Sequence, residues 1–526
     1  MRPGDTFVTC AAFVPRARPT PLSLSPQPYV ELGVPPRRTC PIRRRLGRRA
    51  AIGAALLLGA VATGCGRAPA PEGRYVTEWT RLALITVRSE RLGPPVAARL
   101  SAYAGLALHE GYAADAASGL TTFAARLTGT PAFPAPPTDG ALDGAIVAAV
   151  AERVVLDSLL RDGFASTVRR VDSLAADQVA RRRADGVADA IVARSEAHGA
   201  ALGAAILAWA ATDGFFATRG REWSPPRRRD QWENTATLDQ YVPQTLSGQS
   251  DFVSSANPNV RLDAEAASEK GLFTNRPKAA GATTLPSFNP TRPTEPYWGE
   301  LRPFVLPDAD VCAPPPPPAY SESLGSPFHA MGRAFYDSVR TLPDSLRQVA
   351  LFWADNPVAT GTPGFHWISV VTQMIPRRGL DAPAAAELYA LTTMAIADAF
   401  IGTWREKYRS MVVRPVTYVQ RVFDPAYRTV IPTPPFPEYP SGHSVQSGAA
   451  VEVLIGLLGD TLAYVDSSQV DVGQPARPFA SFTAARTEVA WSRVYAGVHY
   501  LPAVLDGLTQ GRCIGARVLT LARPRG

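Results

Sequence analysis

Cysteine is scarce in this chain, with five in 526 residues, and only Cys312 and Cys513 follow residue 65. A disulfide-stapled scaffold is therefore excluded, and the body can close at most one bridge. Beyond the N-terminal region no stretch holds 18 consecutive apolar residues, so no segment of the body reads as a membrane span. An alternating apolar–polar pattern of strand length is also missing, which argues against a sheet protein. No repeat with a period of about 20–50 residues appears, so a solenoid is excluded. Net charge is absent from the body as well. The whole chain carries +8, but residues 1–64 hold ten arginines against Asp5 and Glu31, which gives 10 − 2 = +8. The remainder has 44 basic and 44 acidic residues, and it carries no electrostatic footprint for nucleic acid.

The basic start has its own meaning. Arg43, Arg44, Arg45, Arg48 and Arg49 precede a 13-residue apolar run, residues 50–62, followed by Thr63, Gly64 and Cys65. A charged region, a short apolar core and small residues before a cysteine resemble a secretory signal. Cys65 resembles the acylated cysteine of bacterial lipoproteins, and the paired arginines resemble a twin-arginine export signal. Residues 1–64 are read as a signal and export segment, with residues 1–40 as an unstructured leader or sequence upstream of the true start. Residues 65–74 are read as a linker. The protein is expected to be exported, periplasmic or at the cell surface, and to touch a membrane only through a lipid on Cys65.

Residues 75–220 are rich in Ala, Leu, Val and Arg at helical spacing, as in Trp79-Leu82-Ile85 and Leu100-Tyr103-Leu106, and residues 143–194 contain no proline. Residues 221–325 change character, with frequent Pro, Asn, Thr and Ser and an unbroken proline run at 314–318. That segment reads as long ordered loops that bury Tyr297, Trp298 and Phe304. Its arginine run, Arg227 to Arg229, reads as solvated surface. Helices return in residues 326–526, predicted over 343–353, 364–375, 383–412, 442–459 and 482–520, the last with a break. The fold class is all-α, a multi-helix bundle with long Pro-rich loops.

Chemistry concentrates in three short segments, residues 407–415 (KYRSMVVRP), 440–443 (PSGH) and 492–499 (SRVYAGVH). They supply Lys407, Arg414, Ser441, Gly442, His443, Arg493 and His499: three cations, a hydroxyl, a backbone amide and two imidazoles, joined by no carboxylate. This composition suits a small, highly charged tetrahedral oxyanion, with one histidine to attack or ligate it and one to move protons. Lys407 and Arg414, seven residues apart, would point the same way about 10 Å apart on one helix, with Pro415 ending it. PSGH opens a helix whose N-terminus is a ready anion site. Arg493 and His499 would diverge by about 120° on an unbroken helix, so a break near Gly497 is predicted if they share a site.

The order Lys-x6-Arg-Pro, Pro-Ser-Gly-His, Ser-Arg-x5-His resembles the signature of the superfamily of type 2 phosphatidic acid phosphatases, bacterial acid phosphatases and vanadium-dependent haloperoxidases. Trp404, three residues before Lys407, and the stretch PFPEYPSGH are similar to the haloperoxidase branch. Weaker similarity reaches back through Phe352-Trp353-Ala354, Trp298-Gly299 and residues 79–83, covering most of residues 75–526. The resemblance implies vanadate as cofactor, with phosphate able to occupy the same site. Lys407, Arg414 and Arg493 would neutralise its oxygens, Ser441 and the Gly442 amide would hydrogen-bond them, His499 would be the axial ligand to the metal, and His443 the acid–base residue. Trp404 and Phe436 would sit at the halide site, Phe436 at a position that is phenylalanine in chloroperoxidase-type members. The implied activity is oxidation of halide by hydrogen peroxide to hypohalous acid. The alternatives are an acid phosphatase with His499 as nucleophile and a non-catalytic oxyanion-binding lipoprotein.

One position departs from the family pattern. Where an aspartate follows the third-segment histidine by four residues, this chain has Ala503. Asp506 lies about 10 Å further along the helix and is not expected to orient His499. Phosphatase turnover, which depends on the aim of the ring, is put most in doubt, and metal ligation less. Asp355 is the expected acidic partner of the arginines. His109, His198 and His329 read as core or surface residues, and His366 as a candidate for the cavity wall.

Overall fold

Most long helices start where the sequence supplies a starter. Asp143, Ser326, Asp381, Ser441 and Ser481 each cap a helix by accepting a hydrogen bond from the backbone N–H three residues on. Proline occupies the first turn of several others, where its missing N–H costs nothing. The computed structural model describes residues 72–226, 228–241, 288–357 and 360–523. The chain divides into two units, Met1–Gly64 and Cys65–Gly526, and every described residue belongs to the second. The export segment, Cys65 with the linker to residue 71, and Arg227 lie outside the described residues.

Helices α1 (Arg74–Ser89), α2 (Pro94–Ala113), α3 (Gly144–Leu159), α4 (Ala165–Ala184) and α5 (Asp189–Ala210) form the N-terminal half. The C-terminal half holds α6 (Pro327–Val339), α7 (Asp344–Phe352), α8 (Thr362–Arg377), α9 (Ala382–Ser410), α10 (Pro415–Val422), α11 (Gly442–Leu458), α12 (Phe482–Tyr495) and α13 (Leu501–Leu519). These bounds agree with the predicted helices to within about two residues. The sequence reading missed α6 and α10, and also a hairpin of three-residue strands, β1 (Tyr464–Asp466) and β2 (Arg477–Phe479), paired antiparallel. Strands that short carry too few residues for an alternating pattern to register.

The two halves share one core that runs from Tyr75 to Leu521. At its centre lies α9, packed between α2 and α11. By length and composition the stretch Ala382–Val422 could cross a bilayer, but 94% of its apolar window is buried inside the protein. Its apolarity is that of a core helix surrounded on all sides. Close approach of α13 to α11 depends on glycine: a Cβ at Gly511 would stand 2.0 Å from the carbonyl oxygen of Val445, and one at Gly515 2.5 Å from that of Ala449. This contact fixes the N-terminus of α11, where PSGH lies.

The Pro-rich region is described over residues 221–226, 228–241 and 288–325. Trp298 and Phe304 are buried and Tyr297 is half-buried. The fully buried Asp398 of α9 accepts from the backbone N–H groups of Phe304 (2.6 Å), Val305 (2.9 Å) and Leu306 (3.1 Å), which fastens the loop. Cys312 in this loop and Cys513 in α13 are joined as a disulfide with Cα atoms 5.9 Å apart. Arg228 and Arg229 pair on the surface with Asp230 and Glu322.

Candidate active site

Local backbone features bring the three segments together. α9 ends at Ser410, with Met411 in the left-handed region (φ 51°). Pro415 therefore does not terminate a helix that carries both cations, as the sequence suggested. It opens α10, and Arg414 is the residue just before it. The two cations converge from two different helices rather than along one face. The predicted break at Gly497 is present at φ 83°. A Cβ there would meet the Tyr427 hydroxyl at 2.5 Å, so only glycine fits. The break turns Arg493, at the end of α12, and His499, just before α13, toward the same cavity. That cavity is lined by Arg493, His443, His499, Gly442, Asp355, Trp404 and Phe436, with a collar of prolines and Tyr241.

The cations divide by what they hold. Lys407 Nζ donates to the carbonyls of Pro437 (2.9 Å), Glu438 (3.0 Å) and Pro440 (2.6 Å). Arg414 donates to the carbonyls of Phe436 (2.8 Å) and Val498 (2.9 Å), and one of its nitrogens stands 3.2 Å from His499 Nε2. Both cations face the Phe436 ring, each 5.1 Å from its centroid. They clamp the loop that leads to Ser441. Arg493 donates to the carbonyl of Trp353 (2.9 Å), while its Nε has no partner in the protein. His443 Nε2 is likewise buried and unpartnered. Ser441 is fully buried, and its Oγ accepts from Ser444 N, leaving the hydroxyl proton free to donate. A Cβ on Gly442 would project beside Lys407 Cε and the Trp404 ring, 3.9 Å from each.

The charges are uncomfortable as they stand. Burial drives Lys407 well below the usual lysine range, with Arg414 adding to the push. Burial also lowers Arg414 to about 10, against the pull of Glu438, and Arg493 to about 10, against the pull of Asp355. His443 and His499 are pushed well below 6.5, first by burial and then by the nearest arginine. A multivalent anion reverses these repulsions and satisfies the orphaned Arg493 Nε and His443 Nε2. The residues present thus fit a small tetrahedral oxyanion such as vanadate or phosphate. Among the described residues no cluster of three or more His, Cys, Asp or Glu could hold a cation instead.

The expectation that no carboxylate joins the three segments is overturned. Glu438, within PFPEYPSGH, is buried at 1% exposure, and its Oε1 lies 2.9 Å from His499 Nδ1 and 3.0 Å from the Tyr500 N–H. Burial raises it to about 7, against the pull of Arg414 and Lys407. The contact fixes the His499 tautomer with Nδ1 protonated, so the Nε2 lone pair meets the Arg414 guanidinium at 3.2 Å. The role that sequence reasoning looked for at position 503 is filled from 61 residues upstream. Asp506 does not orient His499, as expected, and instead accepts from the Tyr439 hydroxyl at 2.9 Å. Ala503 contributes its carbonyl, which accepts from Ser441 N at 2.9 Å.

Asp355 is also at the site, with Oδ2 3.8 Å from His443 Nε2. His366 is not among the residues lining the cavity; it lies behind Asp355 in a buried ion pair. Trp404 and Phe436 do line the cavity, with ring centroids 4.9 Å apart. His109 is buried and stacks on Phe123, while His198 and His329 are half-buried.

A family model described as VCPO second helical-bundle domain matches residues 419–524. No curated protein matches significantly. Among solved structures, the chain is similar to a bacterial vanadium-dependent iodoperoxidase at 30% identity and TM-score 0.69, over 86% of this chain and 97% of that one. It shares its fold with a bacterial vanadium-dependent chloroperoxidase in holo form (15% identity, TM-score 0.58, 82% of this chain and 92% of that one) and apo form (16% identity, TM-score 0.57, 82% and 94%). Fold and relatives agree, and the chain belongs to the vanadium-dependent haloperoxidases.

Proposed function

We propose that the protein is a vanadate-dependent haloperoxidase that oxidises halide with hydrogen peroxide to hypohalous acid. The observation that carries this reading is the buried cationic cage, in which His443 Nε2 and Arg493 Nε lack partners and His499 lines the cavity with its Nε2 3.2 Å from the Arg414 guanidinium. Arg493, Ser441 Oγ and the Gly442 amide would hold the oxygens of vanadate, with Lys407 and Arg414 adding charge from behind the carbonyls they hold. His499 Nε2 would be the ligand to the metal, kept in that tautomer by Glu438. When bound, vanadate supplies a Lewis-acidic centre that activates peroxide toward halide without changing its own oxidation state.

His443, held well below the usual histidine range by burial and Arg493, would accept a proton from hydrogen peroxide at Nε2 and give it back later in the cycle. The fixed guanidinium groups stabilise developing negative charge with no reorganisation. Trp404, Phe436 and the proline collar present an apolar wall to the entering halide and exclude bulk water. Iodide is the first halide to test, because the 30%-identical relative is named an iodoperoxidase. We place the protein outside the cytoplasm, anchored by a lipid on Cys65. The basic and apolar run before that cysteine and the Cys312–Cys513 bridge support this placement.

The test uses protein stripped of oxyanions. Iodide and bromide oxidation by peroxide are assayed with and without orthovanadate, alongside hydrolysis of a phosphomonoester. Halide oxidation that depends on vanadate is the expected result. Ester hydrolysis without halide oxidation would make the protein a phosphatase on the same cage, with His499 as nucleophile. Anion binding with neither activity would leave a binding protein.

A further inference from the structure

One buried cluster of titratable side chains has no part in the chemistry above. His366, in α8, is 3% exposed. Its Nδ1 lies 2.9 Å from Asp355 Oδ1 and its Nε2 2.8 Å from Asp466 Oδ2. Both ring nitrogens meet carboxylate oxygens, and only the imidazolium can donate to both. The Trp353 ring stacks over His366 with centroids 4.2 Å apart, and Phe352 packs edge-on. Gln469 Nε2 also donates to Asp355 Oδ1, at 2.5 Å. Asp466 ends β1, and Gln469 lies in the turn between the strands.

The far side of this chain is the cage. Asp355 sits in the left-handed region at φ 47°, a conformation that a residue with a Cβ adopts only when its surroundings hold it. Its second oxygen faces His443 Nε2 at 3.8 Å. The preceding segment contributes the Trp353 carbonyl, which accepts from Arg493 and from the His443 ring.

We infer that Asp466, His366 and Asp355 form a hydrogen-bonded chain through which the β1–β2 hairpin positions the acid–base histidine, with His366 a positioning residue that acts through Asp355. This rests on the oxyanion reading of the cage. The charged groups facing Asp355 are His366 from α8, His443 from α11 and Arg493 from α12. Those facing His366 are Asp355 and Asp466. Burial alone would lower His366, but the two carboxylates outweigh it and raise it to about 10, so it stays charged through neutral pH. The hairpin is itself braced: Asp471 pairs with Arg88, Arg477 with Glu488, and Glu488 accepts from Trp353 Nε1 at 2.9 Å.

The experiment compares the full chain with Asp466→Asn, which keeps size and an acceptor, and His366→Gln. Selective ¹⁵N-histidine labelling reads the protonation of His366, calorimetry reads orthophosphate affinity against pH, and thermal melting reads folding. The wild type is expected to show one histidine protonated on both nitrogens up to about pH 9, and Asp466→Asn to bind phosphate about tenfold more weakly, with a shifted pH profile and an unchanged melt. Unchanged affinity and pH profile in a folded Asp466→Asn protein would overturn the inference, as would a loss of affinity that merely tracks a loss of folded protein. If the wild type binds neither phosphate nor vanadate, the cage reading fails instead. The label still decides the chain in that case, because a neutral His366 at pH 7 overturns it.

Discussion

The two sides of the cationic cage hold the same kinds of charge and use them differently. On one wall, Lys407 and Arg414 direct their protons into backbone carbonyls of residues 436–440 and 498, and His499 is locked by Glu438. On the other, Arg493 and His443 lean on a single carbonyl, that of Trp353, and keep one buried nitrogen each without a partner. The donors of the first wall are already engaged within the protein, whereas the second keeps two buried nitrogens open. A cation at an anion site can therefore be scaffold and charge source at once, and the hydrogen-bond inventory shows which role dominates.

The largest effect is expected from breaking the first wall. Lys407→Met leaves three buried carbonyls without a donor and should cost about 3 kcal/mol of stability, together with nearly all vanadate binding. Chemical denaturation and calorimetry would record both losses. Arg493→Gln, on the second wall, should weaken vanadate binding about a hundredfold while leaving the denaturation midpoint almost unmoved. Equal stability losses in the two variants would erase the distinction between the walls.

Glu438→Ala frees the His499 ring and should lower vanadate affinity by about tenfold. Adding Ala503→Asp supplies a carboxylate at the position where the family has one, and should recover part of that loss. No recovery would mean that Glu438 serves only to pack. The mildest change, Gly442→Ala, fills the cradle beside Lys407 and Trp404. It should reduce anion affinity severalfold with no effect on melting, because the added methyl makes only ordinary contacts at 3.9 Å.

pH sharpens the same comparison. His443 and His499 have depressed values in the folded, anion-free protein, so the unfolded chain binds more protons below about pH 6.5. Stability should then fall as pH drops below that value, by up to about 1.4 kcal/mol per pH unit for each group, offset between 4.5 and about 7 by Glu438, whose raised value has the opposite sign. His366 has the opposite sign. Raised to about 10, it contributes stability that is fully present below 6.5 and is lost as pH climbs from there through 10. Melting the anion-free protein across pH 4 to 11 tests both limbs, and saturating phosphate should flatten the acid limb only.

Much of the candidate site could be read from sequence because its seven candidate residues fall in three short, ordered segments. Helical periodicity locates one feature: Arg493 and His499 would diverge by about 120° on an unbroken helix, and Gly497 breaks it. The same reasoning failed for Lys407 and Arg414, because Met411 ends α9 before the spacing argument can apply. The role of Glu438 within PFPEYPSGH is not visible in the sequence, since its partner is 61 residues away and only the folded loop brings them together. The Asp355–His366–Asp466 chain was out of reach for the same reason: Asp466 lies 100 residues from His366, on a strand too short to leave a pattern.

The most direct measurement is a titration of the oxyanion-free protein with orthovanadate, following bound metal by ⁵¹V NMR and iodide oxidation in the same samples. Halide oxidation that rises with bound vanadate and saturates at one equivalent per chain is the expected result. Vanadate that binds without producing halide oxidation, or oxidation that proceeds equally without it, would contradict the account.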